Sequence, residues 1–406
     1  MNDYDQQHVV RLLEIFRRYL PPFLCLVAGF LTTFTVPLVG AFPIGEAVLL
    51  MVFPFVVLHR VMRREWPGAI QQSRWFRALL PLIAVTLLGY IVSDWYRQSP
   101  ESNYLRGWAR IVFMGIDLVA VSYLVDASWT RFRLFALALV AGFAVHSLVE
   151  PPVAGEYWKF GIGFPLTVLA LVLAGRRGAV FQVATAFAFA LLHVGLGYRS
   201  AGGICLLVAS ALAIRHLHGL WRIPAWILSL VAAGTMVSAI QRNFEEDEAH
   251  QSSNTERQSM IEASAIAFVS SPLIGQGSWF TSGKGIARVE EQRARHDPKF
   301  HEYTAEEARD LSIHSQLLTG LAEAGLLGGA FLLPYGFLLL TTFASTYRIP
   351  TPDHPLVLFL LGSALWDFAM SPFSGESRVT IALASTLCLL IRFSRRVGYP
   401  IPAHES

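Results

Sequence analysis

Charge is scarce in this chain. Of 406 residues only 15% are Asp, Glu, Lys or Arg, against roughly 25% in soluble domains. A net charge of +3, spread along the sequence, argues against a nucleic-acid partner. Cysteine is nearly missing. Cys25, Cys205 and Cys388 all lie in apolar runs without Cys-x-x-Cys or Cys/His spacing, so packing is their expected role. No metal site is expected: His296 and His301, and His216 and His218, have no partners at zinc-ligand spacing. No glycine-rich phosphate loop follows a strand, since no strand is expected, which argues against a nucleotide-driven enzyme; no cofactor is implied. The N-terminus also lacks the pattern of a cleaved signal peptide. Arg11 to Leu20 is instead a short basic amphipathic stretch, expected on the cytoplasmic surface.

Long apolar runs are what the sequence does have. Hydrophobic residues make up 54% of it, and the mean hydropathy is +0.47. Phe23 to Val39, Ala47 to Leu58, Ala78 to Val92, Ile111 to Val125 and Phe132 to Val149 follow in succession. Each approaches the ~20 residues that a helix needs to cross a hydrocarbon core. Lipid gives backbone amides no water, so such runs must form helices or a closed barrel; continuous rather than alternating apolarity excludes the barrel. The expected fold is an all-α polytopic membrane protein.

About twelve spans are expected, at 22–40, 43–59, 77–95, 107–125, 132–149, 163–175, 179–197, 201–215, 223–240, 315–343, 355–371 and 378–393. The sixth opens on Gly161, Gly163 and Pro165, which points to a broken or tilted helix. Arginines gather in alternate connections (60–77, 131–133, 176–177, 215–222 and 348) and in both tails. The positive-inside rule then puts both termini in the cytoplasm of an inner membrane. The chain divides into spans one to nine (1–240), a large periplasmic loop (241–314), and spans ten to twelve with a tail (315–406). Helices are expected in the loop from Thr255 to Val269, Ala287 to Arg295 and Thr304 to Asp310, with a turn at Ser271–Gly277. A loop this long is usually functional.

His314 stands where the loop meets span ten, with Ser312 as the expected N-cap. The positive end of a helix favours a neutral imidazole, fit to accept a proton, and attracts anions. A histidine that only caps or packs fits the position as well. Arg199, in the tight turn Gly197–Gly203, Arg257 at the start of the loop helix, Arg242 after span nine and Arg378 at span twelve are candidate phosphate ligands. Snorkelling to headgroups accounts equally for Arg106, Arg110 and Arg378, and less well for Arg199. Glu46, Asp94, Asp117, Glu323 and Asp367 are possible partners for these arginines. Glu323 is expected roughly 13 Å below His314 by helix rise. Gly325 and Gly329 beside it read as a close helix-packing pair.

Three stretches resemble the O-antigen ligase and O-antigen polymerase superfamily: Tyr198–Gly203, Arg257–Gly277 with its Pro272-Leu273-Ile274-Gly275-Gln276-Gly277 turn, and His314–Gly328. The match is closest in His314-Ser315-Gln316-Leu317-Leu318 and Ala322-Glu323-Ala324-Gly325-Leu326-Leu327-Gly328; Ser315 replaces the usual Asn, and Arg199-Ser200 reverses the usual order. The resemblance implies a GT-C-like glycosyltransferase that takes an undecaprenyl-diphosphate-linked glycan to a lipid A-core sugar hydroxyl. His314 would be the general base, and Arg199 and Arg257, with Arg242 or Arg378, the diphosphate ligands. A polymerase would use the same chemistry on a growing glycan. The single long loop favours the ligase. A transporter or flippase is the rival class, opposed by the few charges expected within the spans.

Overall fold

A computed structural model describes residues 18–398, except 39, 153–155, 216, 218, 226, 228–230, 232–233, 235–247, 280–283, 298–299, 301, 305–310, 312, 348, 350 and 352. Arg242, most of the ninth expected span and the third loop helix fall outside the described residues. The described chain is nearly all helical. Its helices are α1 (Arg18–Leu31), α2 (Ile44–Arg63), α3 (Arg74–Arg97), α4 (Glu101–Val125), α5 (Trp129–Val149), α6 (Gly163–Ala174), α7 (Ala179–Gly195) and α8 (Arg199–Ile214). After the loop begins come α9 (Glu248–Ser270), α10 (Lys284–His296), α11 (Gln316–Thr346), α12 (His354–Met370) and α13 (Gly375–Val397).

Among the described residues, six helices are long and apolar enough to cross a membrane, lying within α2, α3, α4, α5, α11 and α13. Shorter apolar helices accompany them at Arg18–Leu31, Trp158–Ala174, Ala179–Gly195, Arg199–Ile214 and His354–Met370. Large apolar side chains stand on the outer faces, Phe55, Val61 and Met62 on α2 and Val180 on α7 among them. An outer surface of this kind suits lipid rather than water, and the fold is that of a membrane-embedded helical protein.

One expectation is corrected near the N-terminus, where two short strands, β1 (Thr35–Leu38) and β2 (Gly40–Pro43), replace the end of the first expected span. They pair antiparallel, Thr35 opposite Pro43 and Leu38 opposite Gly40. The cause is local. β-Branched Thr32, Thr33, Thr35 and Val36 disfavour helix, and Pro37, Gly40 and Pro43 bar its continuation. The sixth span is broken as expected: a π-helical turn at Trp158–Ile162, with Gly161 outside helical geometry, leads into α6.

The tenth span differs more. Its helix leaves helical geometry at Ala324 and Gly325 (φ +63°) and folds back. In one straight helix, residues 320 and 328 would be about 12 Å apart. Here a Cβ on Gly320 would stand 2.8 Å from the Gly328 carbonyl oxygen and 2.6 Å from Leu332 Cδ1. The arms 316–323 and 326–346 therefore lie against one another as a helical hairpin. Arm 326–346 packs on α3, with Gly89 against Leu327 and Phe331 N donating to Thr86 Oγ1 (3.0 Å). The hairpin tip thus sits level with the end of α3, beside the loop.

The tip is held by the turn after α9. Gln276 N donates to Ala322 O and Gly277 N to Glu323 O, each at 2.9 Å, and Leu326 N donates to Pro272 O at 2.8 Å. Arg97 Nε closes the turn onto Gly275 O at 2.9 Å. Gly275 (φ +83°) lies directly against the Glu323 backbone, and a Cβ there would meet Ala324 N at 2.6 Å. Gly325 faces Leu273 in the same way, its Cβ position 2.6 Å from the Leu273 carbonyl carbon. Gly275 and Gly325 therefore serve backbone-to-backbone contact. Of the expected packing pair, Gly329 does lie close against the facing arm, its Cβ position 2.8 Å from Leu321 Cδ2, whereas Gly325 belongs to the turn contact. Gly275→Ala and Gly325→Ala are expected to destabilise by at least about 1–2 kcal/mol from the left-handed backbone alone. Gly195→Ala, a helical position with open space around it, should be neutral or stabilising. Thermal melts of the purified protein would show the contrast; equal melting for all three would refute the docking argument.

Candidate functional site

The polar centre of the bundle is built around Glu323, on the last turn of the first hairpin arm. Tyr90 Oη donates to its Oε2 at 2.8 Å, and Arg110 Nη2 pairs with the same oxygen. Trp279 N donates to Oε1 at 2.9 Å. The Arg110 guanidinium also reaches Phe373 O (3.3 Å) and lies 4.9 Å from the ring centroids of both Trp279 and Phe373. Arg110 and Glu323 are both buried. A buried charge pair is tolerable only when its remaining hydrogen-bonding groups are also met, and Tyr90, Trp279 and Phe373 largely do that. Asp94 anchors the neighbouring loop residue, accepting from Ser278 N (2.6 Å), Ser278 Oγ (2.7 Å) and Trp108 Nε1 (2.8 Å).

Next to this pair is a cavity of about 30 Å³ lined by Arg110, Trp279, Glu323, Thr319, Leu311 and Ile313. Leu311 and Ile313 come from the chain entering α11, and both belong to an apolar cluster with Met260, Ala263 and Ala267 of α9 and Val289 of α10. The helix N-cap is Ser315 (φ −166°, ψ 123°), whose side chain accepts from Leu318 N at 3.2 Å, and not Ser312. His314 directly precedes this cap and is half-buried.

The hairpin removes the expected separation of the two residues in depth. Glu323 stands at the tip, against the loop turn, and Ile313, next to His314, lines the same cavity as Glu323. Gln316 faces a second cavity, about 90 Å³, with Tyr335 of the opposite arm, Phe132, Phe164, Asp367 and Leu387. Its lining is mainly apolar, and the Gln316 amide oxygen is buried without a hydrogen-bond partner.

Of the arginines singled out by the sequence, Arg378 is buried with its fork engaged, Nε and Nη2 each donating at 2.7 Å to the two oxygens of Glu46. Arg199 is the first residue of α8 and half-buried; Arg257 is exposed on α9. α8 packs on α7 and α12, whereas α9 packs on α10 and α11. Arg242 lies outside the described residues. Sequence reasoning named Glu323 among possible partners for the arginines and left Arg110 open between headgroups and function, without pairing the two. Their pairing spans 213 residues, and the one local hint was the cost of a carboxylate inside an apolar run. The spans also hold more buried charge than expected: Glu46, Arg110, Asp117, Glu323 and Arg378.

Outside the spans, Glu262 on α9 pairs with His296 on α10 at 2.8 Å, and hydrogen bonds from His296 and then Gln258 hold its carboxyl below the usual range. Comparison with known proteins finds no family model that matches the chain and no similar curated protein.

Proposed function

We propose that this chain is a glycosyltransferase of the O-antigen ligase type, working on a lipid diphosphate-linked glycan at the outer face of an inner membrane. The observation that supports the reading is that the residues flanking His314 reach two different cavities. Ile313 lines the polar cavity that holds the Arg110–Glu323 pair, and Gln316 lines the apolar one. A diphosphate joined to a hydrocarbon chain needs such a pairing of polar and apolar space. The apolar cavity has room for a stretch of chain, not a whole polyprenyl tail.

In this mechanism the acceptor sugar hydroxyl attacks the donor's anomeric carbon with inversion, and His314 takes its proton. Arg199 and Arg257, with Arg242, hold the departing diphosphate and offset its growing charge. Arg110, already engaged by Glu323, braces the cavity wall. Arg378, already engaged by Glu46, has a structural part. Twelve spans with both tails inside would put Arg199, the 241–314 loop and Arg378 on the periplasmic side.

The test is transfer by the purified chain in nanodiscs, from an undecaprenyl-diphosphate glycan to a lipid A-core acceptor. In a deletion strain, loss of capped lipopolysaccharide with accumulating lipid-linked long chains means ligase; capped single repeats mean polymerase. Lys is expected to rescue Arg199 or Arg257 poorly, because it keeps the charge and loses the bidentate fork. Full activity of both Lys variants would reduce the two to general electrostatics. Cysteines at Ser200 and Gln258, in a cysteine-free background, should react with an impermeant maleimide in intact cells; labelling only after permeabilisation overturns the topology.

A second reading, a transporter, is favoured by the charges buried within the spans. Movement of the donor across vesicles without acceptor, and no transfer when acceptor is added, would establish it instead.

A further inference from the structure

We infer that the Glu46–Asp117–Arg378 cluster is a proton-binding site, with one proton held between the Asp117 and Glu46 carboxyl groups. The three residues come from α2, α4 and α13, and all are buried, Glu46 and Asp117 with no exposed surface. Glu46 spends both oxygens on the Arg378 fork, at 2.7 Å each, and Phe113 covers that guanidinium at 5.5 Å. Asp117 follows Phe113 by one turn on the same face of α4, which brings it to the Arg378–Glu46 pair. Yet neither Asp117 oxygen has a donor in the structure.

Charge counting gives the rest. One guanidinium balances one carboxylate, so a second carboxylate leaves a net negative charge in an interior that water does not reach. Such a charge is costly without a partner, and two touching carboxyl groups do not both stay ionised. A single proton removes the excess charge and supplies the hydrogen-bond donor that Asp117 lacks. No other charged group competes for Asp117 among its described neighbours. On α3, Tyr90 is bound to Glu323 and Asp94 to Ser278 and Trp108. On α5 the titratable groups, Arg131, Arg133 and His146, stand near the helix ends.

The site is also placed to matter. Asp117 lies seven residues after Arg110 on α4, two helical turns along the same face. Proton loss would set a negative charge among α2, α4 and α13, the helices that hold Arg110 against Phe373 and Glu323.

Infrared difference spectra of the full chain in nanodiscs, taken between neutral and alkaline pH, test the inference. A protonated-carboxyl stretch that shifts in D2O and disappears in Asp117→Asn is expected. Asp117→Glu keeps the carboxyl and should move the band's frequency, which separates it from Asp367 and serves if the Asn variant does not fold. A band that neither variant alters, or no band at neutral pH, overturns the proposal. Melting temperatures give a second reading. Folding takes up the proton, so wild-type stability should fall relative to Asp117→Asn as pH rises above the ordinary carboxylate range. A gap that does not change with pH means Asp117 is ionised and overturns it. Stabilisation by NaCl over matched choline chloride would assign the cluster to a sodium ion, which also overturns it.

Discussion

His314→Ala is expected to lower glycosyl transfer by about 10²–10⁴, the usual contribution of a positioned general base, while donor binding persists. A sugar hydroxyl is a poor nucleophile until its proton has somewhere to go. His314 precedes the Ser315 cap of the first hairpin arm, and its neighbours Ile313 and Gln316 line the two cavities in which a head group and its chain would lie. The separation of catalysis from binding is the informative part. Purified His314→Ala protein should still retain undecaprenyl diphosphate in a pull-down or by native mass spectrometry, and transfer should fail at every acceptor concentration. Near-normal turnover would remove the mechanism. Loss of both turnover and donor binding would make His314 a positioning or packing residue.

Glu323→Ala is expected to be the most destabilising single change, by about 3–5 kcal/mol, the typical result of stranding one partner of a buried ion pair. Three donors lose their acceptor at once: the Arg110 guanidinium, Tyr90 Oη and Trp279 N. Arg110→Met combined with Glu323→Leu removes both charges and should recover much of the loss, since paired removal of buried charges is often close to neutral. A double-mutant cycle read by thermal melts would measure the coupling. Additive effects would mean that the two side chains do not depend on each other.

The resemblance in the sequence rests on runs whose geometry is now visible. Pro272–Gly277 and Ala322–Gly328 form the two halves of one contact, in which Gly275 and Gly325 allow a turn and a broken helix to touch backbone to backbone. Nothing in either run alone announces that contact. Its partners are some fifty residues apart, and a φ above zero is no more than permitted by glycine.

The sequence by itself determined that the chain is helical and built for lipid, because long continuous apolar runs leave the backbone no other way to satisfy its amides. It also located the loop helices α9 and α10, the turn after α9 and the break before α6, through periodicity and the placement of Gly and Pro. Only the tertiary structure decided that the tenth span is a hairpin, that Glu323 stands at its tip against the loop turn, and which carboxylate pairs with Arg110 and which with Arg378. The physical reason lies in range. Helix formation and membrane burial follow from the residues of a segment and its solvent, whereas a buried charge is acceptable only beside a partner. For Arg378 that partner is 332 residues away along the chain, and folding alone brings the two together.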